Sequence, residues 1–386
     1  MKTERHPNKP SKPIAVGLNP ASMLAVCLSL FALLLLPPRA SADAFSFSTG
    51  FPDGRIGTLS RPASAGMVQT ETADDFILSE CVLINQATFT GLLPMGTPLA
   101  SITRVEVEFY HVFPVDSDTT RMPDVVTRTN SPSDVEIDDA TRDTADGSLS
   151  FNTMMLSPNF TVSNSVVNGI NPAPNQFTGG EGPVTGVEVT ITVTFDPPIL
   201  LPDDHYFFRP EVGLSSGNFL WLSAPGPPLF TDDRQSWIRN DNLAPDWSRI
   251  GTDITHQGPF NASFSLSGVT GAESIIDELV PCSGPASGGT WKNHGQYVSS
   301  VAHAAQSLAN QGCISEQEKG KIVSAAAQSS CGKKSNDHQG NHKSNKNKKN
   351  KKNNKNNNNH KNNNNHKNNK NHKHNPGEMG SDEMGG

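Results

Sequence analysis

Residues 186–195 set the reading of the whole chain. Val187, Val189, Ile191, Val193 and Phe195 alternate without a break with Glu188, Thr190, Thr192 and Thr194. A period of two sends the two sets to opposite faces of a β-strand. A strand that is apolar on one face only belongs to an antiparallel sheet with one wet side. Its apolar face needs a second layer, so the pattern predicts two packed sheets.

The same pattern recurs along the chain. Val105, Val107 and Phe109 alternate with Arg104, Glu106, Glu108 and Tyr110 within Ile102 to Phe113, and Pro114 stops that strand. Val82 to Thr90, Leu149 to Leu156, Phe160 to Val167, His205 to Val212, Phe219 to Leu222 and Phe260 to Leu266 read as further strands. Glu71 to Leu78 leads into the first of them, and Pro197-Pro198 closes the 186–195 strand. The polar stretch 116–147 reads as a surface excursion and 168–182 as a loop. Short strands punctuated by Gly, Pro, Asn and Asp predict a mainly β protein, an antiparallel, jelly-roll-like β-sandwich over residues 43–270.

After a 271–290 linker the period changes to helical. Val298, Val301, Ala302, Ala305 and Leu308 mark one helix, preceded by Trp291-Lys292-Asn293-His294. Ser315 and Glu318 form a capping box before a second helix striped by Ile322, Val323 and Ala326. Residues 291–332 therefore predict an αα-hairpin, too small to be stable unaided. His294 reads as a cap or packing residue. Residues 333–386 are nearly all Asn, Lys and His up to 374 and predict a disordered, low-complexity tail.

At the other end, Lys2, Arg5, Lys9 and Lys12 precede an apolar run from Ala21 to Leu36 and then Ala40-Ser41-Ala42. This is the pattern of a secretory signal peptide over residues 1–42, cleaved after Ala42. The run is shorter than the ~20 residues a membrane span needs, and no second run follows. The mature chain is therefore expected to be secreted, extracellular or loosely attached to a cell surface, with no membrane span.

Charge divides the chain sharply. Residues 43–332 carry 33 acidic and 13 basic residues, a net of −20, whereas 333–375 carry 13 lysines and one acid, a net of +12. An acidic body does not suit specific nucleic-acid binding. The basic tail suits an extracellular polysaccharide or another anionic envelope polymer.

Cys81, Cys282, Cys313 and Cys331 remain after signal removal, and export favours disulfides. About fifteen helical residues separate Cys313 from Cys331 by roughly 22 Å, too far to pair. The open end of the hairpin instead brings Cys331 to Cys282. That predicts a Cys282–Cys331 bridge, which leaves Cys81 and Cys313 free, the favoured reading, or joined between domains.

Candidate chemistry is sparse. There is no G-x-S-x-G and no H-E-x-x-H. Glu71, Asp74 and Asp75, just before a strand, form the best acidic corner for a metal and make calcium the candidate cofactor. Trp237 and Trp247, beside Arg239 and Asn240, offer the aromatic and planar polar groups of a glycan-binding site, against the alternative of a packed loop.

Glu71–Phe76, Asn130–Val135, Asp204–Phe208 and Ser236–Asn240 together resemble segments of a group of exported, uncharacterised bacterial β-sandwich proteins. The Trp291-Lys292-Asn293-His294 element with its helices is similar to a C-terminal segment of some bacterial surface proteins. This resemblance, covering residues 45–332, implies export and fold but no chemistry. The expected function is non-enzymatic extracellular or cell-surface association, with glycan binding as its form. The alternative is a hydrolase acting through loop carboxylates.

Overall fold

The computed structural model describes residues 43–64, 66–120, 129–143, 147–170, 178–225 and 235–333. Residues 1–42, read above as a signal peptide, Asp146 and the residues beyond Lys333 lie outside the described residues.

The chain folds as the sandwich that its alternation predicts. The larger sheet holds nine strands: β1 (Asp43–Ser48), β2 (Ile56–Leu59), β4 (Val82–Pro94), β7 (Leu149–Val162), β8 (Asn164–Val166), β9 (Val184–Leu201), β11 (Leu220–Ala224), β14 (Asn261–Ala262) and β15 (Phe264–Thr270). The smaller sheet runs in the order β13 (Ser248–Arg249), β12 (Trp237–Asn240), β3 (Thr70–Ile77), β10 (His205–Leu214), β5 (Ile102–Val112) and β6 (Pro132–Arg142). Every strand pair is antiparallel except β2 with β8.

Val189, Ile191, Val193 and Phe195 point into the interface between the sheets, as their spacing requires. They meet Phe76, Val105, Val107, Phe109 and Phe208 of the other sheet. Aromatic rings dominate this core: Phe208 stacks on Phe264 at 5.0 Å and meets Trp221 edge-on at 5.9 Å. Gly91 in β4 admits the Phe219 ring, which lies 2.1 Å from where a Cβ would stand.

Three elements depart from the sequence reading. Strand β9 continues past Pro197-Pro198 to Leu201, because the register shifts by three residues between Ile84 and Gln86 of β4 and absorbs the break. The acidic stretch 116–147, whose polarity predicts a surface excursion, contains β6, which pairs with β5 and buries Ala140. It is an edge strand, where Asp134, Glu136, Asp138 and Asp139 oppose edge-to-edge association. The 271–290 segment is not simply a linker: Ala272–Leu279 forms helix α1 directly after β15.

The predicted hairpin is present as α2 (His294–Asn310) and α3 (Glu316–Gln328), the latter opened by the Ser315–Glu318 capping box. It gains its stability from the sandwich. Trp291, Tyr297, Val301, Ala305 and Leu308 share one apolar cluster with Ile275 and Ile276 of α1 and Leu83 of β4. Cys282 pairs with Cys331 as predicted, Cα to Cα 5.0 Å. Cys81 and Cys313 are also paired, Cα to Cα 5.5 Å, so the inter-domain alternative holds and the favoured free state does not. That second bridge joins the start of β4 to the turn between α2 and α3, a proximity that sequence spacing could not show.

Candidate functional site

The outer face of the smaller sheet brings several of the candidate residues together, but it joins them to one another. Arg209 on β10 is 1% exposed and sits among four carboxylates. Its guanidinium lies 2.7 Å from Glu211, 3.4 Å from Glu71 and 3.6 Å from Glu106, and it also pairs with Glu108. Arg239 on β12 pairs with Glu71 through Nε and through Nη2 at 3.0 Å. Arg104 pairs with Glu106, and the Tyr110 hydroxyl donates to Glu108. Strand alternation places all these groups on one face, as β5, β10, β3 and β12 lie side by side.

Four carboxylates against three guanidinium groups leave one negative charge in excess, and burial decides who carries it. Burial pushes Glu211 up to about 7 against the pull of Arg209. Burial also raises Glu106. Glu108 is buried too, but Arg209 and the Tyr110 hydroxyl hold it below its usual range. The cluster pairs its charges internally, with Arg209 and Glu211 almost wholly buried.

The structure sets the acidic corner inside the sheet, with each carboxylate on its own protein partners. Glu71, Asp74 and Asp75 lie within β3 rather than before a strand, so Asp74 and Asp75 face opposite sides of the sheet. Glu71 belongs to the two arginines. Asp74 accepts hydrogen bonds from the Ser236 hydroxyl at 3.0 Å and the Ala262 N–H at 2.9 Å. Asp75 lies 2.7 Å from His205 Nε2. Among the described residues no group of three or more His, Cys, Asp or Glu side chains could hold a metal ion.

The tryptophan platform is likewise closed. Trp237 and Trp247 are fully buried with Ala73, Tyr110 and Phe207. The face of Trp247 is taken by the protein's own Arg239, 4.3 Å from the ring centre. Asn240 is buried as well, and its side-chain oxygen accepts from the N–H groups of Asn242 and Leu243, closing a turn. These residues are packed inside the fold, although neither indole N–H has a hydrogen-bond partner among the described residues.

Other acidic groups also have protein partners. Asp116 lies 2.5 Å from His111, and Asp134 accepts the Asp118 N–H at 3.0 Å. His294 packs as its position predicts, although Asn293 caps the start of α2, accepting the Gln296 N–H at 2.9 Å. The His294 ring bridges helices, with its nitrogens 2.8 Å and 3.0 Å from the carbonyls of Cys331 and Ala327.

The open surface of interest is the outer face of the larger sheet. Strand register aligns its wet side chains in rows running across β7, β9, β4, β15 and β1. One row is Ser150, Thr194, Gln86, Ser267 and Ser46; the next is Asn152, Thr192, Thr88, Ser265 and Ser48. In a third, Met154, Thr190 and Thr90 continue to Ser263, whose carbonyl accepts the Thr90 N–H. No charged residue stands in these rows.

Thr192, Thr88, Ser265 and Ser48 of the second row and Thr190, Thr90 and Ser263 of the third floor a groove of about 340 Å³, flanked by Met154 and Leu156 on β7 and by Phe51 beyond β1. Phe51 is 88% exposed. Thr88 and Thr192 share a hydrogen bond at 3.2 Å, while the hydroxyls of Thr190 and Ser265 have no protein partner among the described residues. A hydroxyl both donates and accepts, and so matches a ligand built of hydroxyls.

The sequence held a signal for this face. Phe45-Ser46-Phe47-Ser48, Thr88-Phe89-Thr90, Thr190-Ile191-Thr192-Val193-Thr194 and Phe264-Ser265-Leu266-Ser267 repeat one alternation of apolar and hydroxyl residues. Only pairing shows that the four segments are neighbours. No family model matches this chain, and no curated protein sequence matches it.

Proposed function

We propose that this protein is an extracellular β-sandwich that binds neutral glycans through the hydroxyl groove, and that it works by association rather than turnover. The observation that carries the reading is the uncharged, hydroxyl-lined groove with Phe51 at its edge, on a body whose net charge is −20. Glycan recognition needs side chains that donate and accept, plus an apolar face for the C–H side of a ring. Two disulfides support an oxidising, extracellular setting. Among the described residues no helix is long and apolar enough to cross a membrane. The thirteen lysines of 333–375 add a non-specific hold on anionic envelope polymers.

The test is a glycan array probed with the secreted protein and with Thr190→Lys and Phe51→Ala, alongside an assay for released reducing ends. Binding of uncharged glycans that both variants lose, without product release, is the expected result. Equal binding by wild type and variants overturns the groove assignment, and product release overturns the non-enzymatic reading.

A further inference from the structure

The groove has a direction, and direction bears on which glycan fits. It runs across the strands, from Met154 and Leu156 on β7 to Phe51 beyond β1. Resting on the glycan-binding reading above, we infer that its ligand is a single extended chain of neutral, β-linked pyranose units lying perpendicular to the strands.

The argument is geometric. Neighbouring strands lie about 4.8 Å apart, so a row from β7 to β1 presents one short polar side chain per ~4.8 Å over roughly 19 Å. An extended, equatorially linked pyranose chain advances by about one such spacing per ring, which brings each ring over a fresh strand. About four rings then span Asn152, Thr192, Thr88, Ser265 and Ser48, with Met154 and Thr190 along one side. An α-linked chain coils and leaves the row after one or two rings. The floor between β4 and β9 is made of short side chains, Thr88, Thr90, Thr190 and Thr192, so no long side chain interrupts a ribbon there.

Two further features narrow the class. A sheet face twists by roughly 20° per strand, so a row turns along its length. A lone chain can follow that turn and a crystal surface cannot, which favours soluble or amorphous polymer over crystalline. The groove also lacks any cation, while the surrounding body is acidic. A uronic-acid polymer would meet repulsion there with no partner for its carboxylates.

The full secreted chain tests this by calorimetric titration. The probes are β-1,4-glucan oligomers of two to six units, α-1,4-glucan oligomers of the same lengths, polygalacturonate and crystalline cellulose. The Kd for β-linked oligomers is expected to fall with each added unit up to about four and then to level off. Thr88→Lys and Thr190→Lys, both on the wet face, are expected to abolish it, and Phe51→Ala to weaken it by roughly tenfold. Circular dichroism confirms that each variant is folded.

Equal affinity for α- and β-linked oligomers, no gain beyond two units, or preference for the crystalline form overturns the extended-chain inference and leaves neutral glycan binding intact. Binding of polygalacturonate that survives Thr190→Lys and truncation after Gly332 overturns it as well. No binding of any uncharged glycan overturns both readings.

Discussion

Replacing Glu211 with Gln isolates the charge balance of the arginine cluster. Glu211 is 0% exposed, 2.7 Å from an Arg209 nitrogen and 3.0 Å from Gln69 Nε2. Burial lifts its carboxyl from the usual 4.5 to about 7. The folded protein therefore holds a proton that the unfolded chain has released anywhere between those values. Stability from this group is fully present below pH 4.5 and is lost as pH rises through about 7. At 1.36 kcal/mol per pH unit, that window amounts to about 3 kcal/mol.

A Gln side chain keeps the shape of the protonated acid and cannot titrate. The stability difference between wild type and Glu211→Gln should therefore shift by about 3 kcal/mol in favour of the variant from pH 4.5 to pH 8. Asp74, whose carboxyl is also raised by burial and by Asp75, adds a slope of the same sign to both proteins and drops out of the difference. Urea unfolding at half-unit pH intervals measures it. A difference that stays flat across that range would show that Arg209 holds Glu211 ionised in the fold and would refute the reasoning.

Arg209→Met should be more damaging, because it leaves Glu71, Glu106, Glu108 and Glu211 facing one another without their shared cation; a loss of about 3–5 kcal/mol in urea unfolding is expected at neutral pH. The Cys81–Cys313 bridge closes 232 residues and chain entropy bounds its contribution at about 5 kcal/mol, so Cys81→Ala with Cys313→Ala should lower Tm and speed amide exchange in α2 and α3 first. Unreduced peptide mapping should yield that bridge together with Cys282–Cys331 and no linked Cys313–Cys331 fragment. Binding of anionic polysaccharide should fall steeply as salt shortens the Debye length below about 8 Å and vanish on truncation after Gly332; salt-independent binding would count against a role for the lysine tail.

Period-two alternation by itself determined that this is a two-layer β protein, and it named the inner face of β9 residue by residue. That inference is local, since a strand's two faces follow from backbone geometry alone. The helical hairpin and the Cys282–Cys331 bridge were also legible, the first from a capping box and the second from the length of a helix. What a face meets is a different matter, because it depends on partners far away in the chain. Trp237 beside Arg239 reads the same whether it faces solvent or lies under a loop, and only the closing of Trp247 over Arg239 decided for burial. Glu71, Asp74 and Asp75 are adjacent in sequence, yet pairing divided them among Arg209 and Arg239, Ser236 and Ala262, and His205. Cys81 and Cys313 became partners only when the hairpin docked against β4. The hydroxyl groove is the clearest instance: each segment carries an ordinary wet face, and the register of five strands turns those faces into rows.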